Sequence, residues 1–231
     1  MYRPNVRCRQ QAFTLIELLV VISVILIAAS IVVVTGRGGS GAALSSSTRI
    51  VNSIVQGARG QAILQNQRAR IIIYANADLN SDDAVADPDK HLRFFGIVYA
   101  DPNDPNPDNP TNWIAATQGT YLPRGIYFDP NSSGVNSSGS GWTASASRRM
   151  QIQFPRGSSV STGSGDVFYW YEFLPNGRAR DINAWLVIRA GFLNQNNAVD
   201  FSRDEDAMLK AALIIRQSGT ATIVTDPDVI Q

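Results

Sequence analysis

The side chains of this 231-residue chain that could do chemistry are few, and their spacing argues against catalysis. The single histidine, His91, stands beside Lys90 and Arg93. One imidazole supplies neither a nucleophile triad nor a zinc-binding pair, and His91 is expected on an exposed loop. The single cysteine, Cys8, precedes the first apolar run. No Gly-x-Ser-x-Gly elbow or phosphate-binding loop is present, so the chain is expected not to be an enzyme and to need no cofactor. Asp78, Asn80 and Asp82, followed by Asp83, Asp87 and Asp89, place oxygen ligands at spacings loosely like a calcium loop. The glycine such a loop needs at its sixth position is missing, and its closing residue would be Asp89 rather than a glutamate. The stretch is read as a solvated acidic loop, with no metal assigned. Arg148, Arg149 and Arg156 could meet phosphates, but three charges without an aromatic platform fit a solvated face better. The chain also ends in the acidic stretch Thr225-Asp-Pro-Asp-Val-Ile-Gln231, which would repel phosphates. Nucleic acid is not expected as a partner.

Glu17 is different. It lies in an apolar run from Phe13 to Thr35, long enough at about 1.5 Å per residue to cross a hydrocarbon core of about 30 Å as a helix. A carboxylate there costs roughly 2.5–3.5 kcal/mol on insertion scales, which points to a specific partner. The segment before it carries Arg3, Arg7 and Arg9 and no acid. A secretory signal places its small-residue cleavage site after the apolar core, whereas here Ala12 comes before it.

Arg9-Gln-Gln-Ala12 followed by Phe13-Thr-Leu-Ile-Glu17 resembles the site read by prepilin peptidase in type IV pilins and pseudopilins. The resemblance implies cleavage between Ala12 and Phe13 and N-methylation of Phe13. It also implies that Glu17 pairs with the N-terminal ammonium of a neighbouring subunit. The family usually has Gly before the cut, and this chain has Ala12. The implied partners are prepilin peptidase, other pseudopilins or pilins, and an inner-membrane assembly platform. Further on, Phe173-Leu-Pro-Asn-Gly-Arg178 and Leu213-Ile-Ile-Arg-Gln-Ser-Gly-Thr220 are similar to the minor pseudopilin H of type II secretion systems and to minor pilins of the FimT type. The resemblance implies a structural subunit of a secretion pseudopilus. The alternative it leaves open is a minor type IV pilin engaged in pilus assembly or DNA uptake.

Composition gives the chain no global attraction to nucleic acid. Of 20 basic residues the leader holds three, which leaves 17 against 19 acidic ones, a net of about −2 after cleavage. Removal of Cys8 with the leader would leave no disulfide, so packing alone must hold the core. The leader arginines are expected to stay in the cytoplasm and to send the rest of a single-pass inner-membrane protein into the periplasm.

The elements that must position Glu17 and the head follow from the patterning. Residues 1–12 read as the leader, 13–35 as the transmembrane part of a helix, and 36–68 as a glycine-rich break at Gly36–Gly41 followed by an amphipathic helix ending near Gln67. Leu44, Val51, Val55, Ala58 and Ala62 recur on one face of that helix, with Arg49, Asn52, Gln56 and Arg59 elsewhere. Residues 69–231 then alternate strand-like runs with turns: Arg70–Tyr74, Leu92–Tyr99, Thr120–Phe128 interrupted by Pro123, Arg149–Phe154, Val167–Phe173, Ala184–Ile188, Ala211–Ile215 and Thr220–Val224. The Pro175-Asn-Gly177 turn is expected to lead Val167–Phe173 back into Ala184–Ile188. The Asp/Pro-rich stretch between Ala75 and Asn112 reads as an insertion, and Asn131–Ser147 and Gly157–Gly165 as mobile loops. The expected fold is α+β, a long N-terminal helix packed on an antiparallel β-sandwich-like head.

Overall fold

A computed structural model describes residues 15–24, 39–76, 87–108, 110–135, 148–195, 198–202 and 208–230. The chain divides into two units, Met1–Gly39 and Ser40–Gln231. In the first, residues 15–24 form helix α1. The second is the head, which opens with helix α2 (Gly39–Gln65).

α2 buries Val51, Val55, Ala58 and Ala62 completely, the face that helical spacing gave. Two hydroxyls share the covered side. Ser47 and Thr48 donate to the carbonyls of Ala43 and Leu44 at 2.7 and 2.8 Å, so neither is an unsatisfied polar group. The helix stops at Asn66, whose φ of 50° is left-handed. Asn66 N–H donates to Ile63 O and Gln67 N–H to Ala62 O, the paired bonds of a Schellman cap. At the other end the glycine-rich stretch is not all a break, because Gly39 and Gly41 are already helical. The packed face that follows holds the turn despite glycine's cost of about 1 kcal/mol.

Two antiparallel sheets complete the head. The first runs β7 (Arg149–Ile152), β9 (Asp166–Phe173), β1 (Ala69–Asn76), β2 (Phe94–Ala100), β3 (Asn112–Ala115), β8 (Val160–Ser161), with β4 (Thr120–Tyr121) also paired to β2. The second runs β14 (Ala221–Val224), β13 (Lys210–Ile215), β10 (Ala184–Ala190), β5 (Ile126–Phe128), with β6 (Gly134–Val135) on β10. A small hairpin joins β11 (Phe192–Leu193) to β12 (Val199–Asp200). Alternation along each strand sorts the side chains. Ile71, Ile73, Phe95, Ile97, Tyr171 and Phe173 from the first sheet meet Leu186, Ile188, Leu213 and Ile215 from the second and the apolar face of α2. The opposite face of the first sheet carries a second cluster, including Ile72, Phe94, Val98, Trp113, Met150, Phe168 and Trp170. Strands covered on both faces need no polar alternation, which is why β9 reads Val-Phe-Tyr-Trp-Tyr without a break.

Several expectations change. Thr120–Phe128 is two strands in two sheets, because the chain turns through Pro123 and Gly125 and Arg93 holds the crossing by donating to Leu122 O at 2.9 Å. The Pro175-Asn-Gly177 turn also changes sheets. β9 pairs with β1 and β7, whereas β10 pairs with β13, β5 and β6. The stretch between Ala75 and Asn112 is no single insertion. It contains β2, paired to β1 in the register Ile71↔Ile97. Within it the buried carboxylate of Asp104 accepts from the backbone N–H groups of Asn106, Thr111 and Asn112. Gly157–Gly165 likewise contains β8, hydrogen-bonded to β3. The β13–β14 hairpin is as expected.

Candidate functional site

Every residue of α1 is exposed, with Leu15 at 83% and Ile16 at 72%, and Glu17 is the one acid on this apolar rod. Ser23 donates to Leu19 O at 2.8 Å, so its hydroxyl is satisfied on its own helix. Among the described residues no helix is long and apolar enough to cross a membrane. The run from Phe13 to Thr35 is described over 15–24, and Ala12 and Phe13 lie outside the described residues.

The head has its own polar centre, which the strand patterning missed. Glu172 on β9 and Arg70 on β1 are cross-strand partners on the outer face of the first sheet. The Glu172 side chain is fully covered. Its Oε2 accepts from Arg70 at 2.7–2.8 Å, and its Oε1 takes Arg68 at 2.8 Å and Arg180 at 3.5 Å. The Arg70 guanidinium stacks on Trp170 and Trp113, 3.9 and 4.1 Å from their ring centres. Burial brings Arg70 down from 12.5 to about 10, against the attraction of Glu172. Arg148 forms a two-pronged pair with Asp181 at 2.6 Å and also faces Trp170. The available signal was a charge inside an apolar strand, which must find a partner.

Arg148, Arg149 and Arg156 do not act as one patch. Arg148 is spent on Asp181, Arg149 lies over Tyr169, and Arg156 is exposed. The expectation that these arginines lack an aromatic neighbour is corrected by Trp170 and Tyr169, although both rings are buried. The acidic C-terminus does not screen the arginines near the β13–β14 turn. β14 carries Asp226 and Asp228 to the far end of the hairpin, about 15–20 Å away at ~3.3 Å per residue, and the Debye length is about 8 Å. His91 is half-buried rather than exposed, its Nδ1 covered and without a hydrogen-bond partner. Burial pushes the imidazole below its ordinary range, partly offset by the backbone of Ala75. Asp78, Asn80 and Asp82 lie outside the described residues. Among those described, no group of His, Cys, Asp and Glu side chains is arranged to hold a metal ion.

The family model for the prokaryotic N-terminal methylation motif matches residues 7–33, a span that contains Ala12, Phe13 and Glu17. Residues 7–33 thus resemble the N-terminal segment of type IV pilin-like proteins, and the helix with its antiparallel head gives an α+β fold. No curated protein matches it. Among solved structures it is similar to the minor pseudopilin EpsH from the Type 2 Secretion System of Vibrio cholerae. The two are 11% identical with a TM-score of 0.36, over 78% of this chain and 94% of that one.

Proposed function

We propose that the protein is a minor pseudopilin of a type II secretion pseudopilus, a structural part rather than an enzyme. Prepilin peptidase cuts it between Ala12 and Phe13, the new Phe13 amine is methylated, and Glu17 receives the amine of a neighbouring subunit. The observation that carries this reading is the methylation motif at residues 7–33, with its one carboxylate set on an otherwise apolar, exposed helix. Cleavage places a cation four residues before Glu17, an i, i+4 spacing that offsets the carboxylate before assembly. The inner membrane anchors the chain and the head lies in the periplasm.

Intact-mass and N-terminal peptide analysis of the membrane form tests the processing. The expected mature chain begins at methylated Phe13. A chain beginning at Met1, or beyond Thr35, would end the reading. Gene neighbourhood separates machines: a secretion ATPase, secretin and sister pseudopilins fit secretion, and competence genes do not.

A further inference from the structure

The last turn of α2, the β9–β10 connection and the β13–β14 turn meet at one end of the head. Their contact is close. Ile63 and Arg59 lie against Gly177, Arg59 also lies against Gly219, and Ala179 N–H donates to Gln217 O. Arg216 donates to Asn183 Oδ1 at 3.1 Å, which ties the two turns together. This end carries Arg59, Arg68, Arg178, Arg180 and Arg216. The adjoining carboxylate of Glu172 is fully covered and already shared by Arg68, Arg70 and Arg180. Among the described residues, no carboxylate is ion-paired with Arg59, Arg178 or Arg216, and Arg59 Nε is buried without a hydrogen-bond partner. Exposed apolar side chains lie on the same segments: Ile63, 50% exposed, sits with Arg59 against Gly177, and its chain neighbour Leu64 and the connection's Ile182 are 79% and 55% exposed.

We propose that this arginine-rich end of the head, with Leu64 as its apolar anchor, docks an acidic segment of a partner protein. The excess of unpaired guanidinium groups selects a negatively charged occupant. The occupant's class follows from the apolar residues. Arginine is enriched at protein–protein hot spots, and exposed apolar side chains beside it gain by burial inside a polar rim. A phosphate backbone would use the charges and leave Leu64 and Ile63 in water. Base stacking would need an open aromatic face, and Trp170 is buried beneath Arg70 and Arg148. The inference stands on the head alone and does not depend on how the N-terminus is processed.

The test places the photo-reactive residue p-benzoylphenylalanine at position 64 of the full chain in its native cells, irradiates them, and sequences the cross-linked products by mass spectrometry. The expected adducts fall on protein segments rich in Asp and Glu. Their yield should drop roughly fivefold or more when Arg178→Glu and Arg216→Glu are combined, and stay level with Arg49→Glu, an exposed site about four turns of α2 away from position 64. Circular dichroism checks that each variant is folded. Adducts on nucleic acid, adducts on segments without an acidic excess, a yield indifferent to the double substitution, or no adduct above that from a probe at position 49 would each overturn the proposal.

Discussion

Replacing Glu172 by Gln keeps the shape of the side chain and removes the carboxylate that Arg68, Arg70 and Arg180 share. Arg70 sets the magnitude, since its side chain is 8% exposed and lies against two tryptophan rings. Burial lowers its pKa from 12.5 to about 10 even with Glu172 present. At about 1.36 kcal/mol per unit, that corresponds to a net penalty of a few kcal/mol for keeping the cation inside. Without Glu172 the attraction disappears and the three guanidinium groups repel one another. Loss of one partner of a buried pair costs about 3–5 kcal/mol, so Glu172→Gln should lower the head's melting temperature by about 10 °C. Arg70→Met should cost far less, about 1 kcal/mol, because it loses the ring contact but relieves the buried charge. Glu172 would still hold Arg68 and Arg180. The double variant should recover at least half of the Glu172→Gln loss. Urea unfolding of the full chain in detergent, followed by circular dichroism, measures all three. A loss under about 1 kcal/mol for Glu172→Gln, or a larger loss for Arg70→Met, would refute the idea that the carboxylate exists to tolerate the buried cation.

Glu17→Ala should leave membrane insertion intact or slightly improved and sharply reduce cross-linking to sister subunits; normal cross-linking would mean the head alone directs assembly. His91 makes the head acid-sensitive. Its folded pKa lies below the unfolded value, so the unfolded chain takes the proton first and stability falls as pH drops below about 6.5, by at most about 1.4 kcal/mol per unit. Unfolding curves at about pH 7.5 and about pH 5.5 should show this slope, and His91→Gln should flatten it; an unchanged slope would assign it to other groups. Gly219→Ala should cost at least about 2 kcal/mol, because φ is +79° there and the new Cβ would collide with Gly177 O. Gly157→Ala, where a Cβ meets nothing within 4 Å, is the neutral control in the same melting experiment.

Local chemistry was legible wherever one element decided it. The buried face of α2 follows from apolar spacing alone, and the β13–β14 hairpin from two short runs around Ser218-Gly219. Sheet membership was not legible, because strand-like runs do not say which neighbour they pair with. Pro123 in Thr120–Phe128 correctly marks an interruption, yet only the contacts made by Leu122 and Ile126 send the chain to a second sheet. The same limit applies at Pro175-Asn-Gly177. The turn is present, with Gly177 N–H donating to Leu174 O, but it serves a change of sheet. β3 and β8 went unread because each is too short to show a period.

Charge is where the linear order misleads most. Asp226 and Asp228 follow Arg216 closely in sequence, which suggests that the acidic end neutralises the arginines before it. The hairpin removes that effect, since β14 carries both acids the length of a strand from the turn. The same folding gathers Arg59 from α2, Arg178 from the β9–β10 connection and Arg216 from the β13–β14 turn around two glycines. Glu172, buried on Arg68 and Arg70, and Asp181, held by Arg148, project little field outward. A chain that is nearly neutral in total thus has a strongly basic end, and what that end meets depends on the leucine and isoleucines exposed beside it.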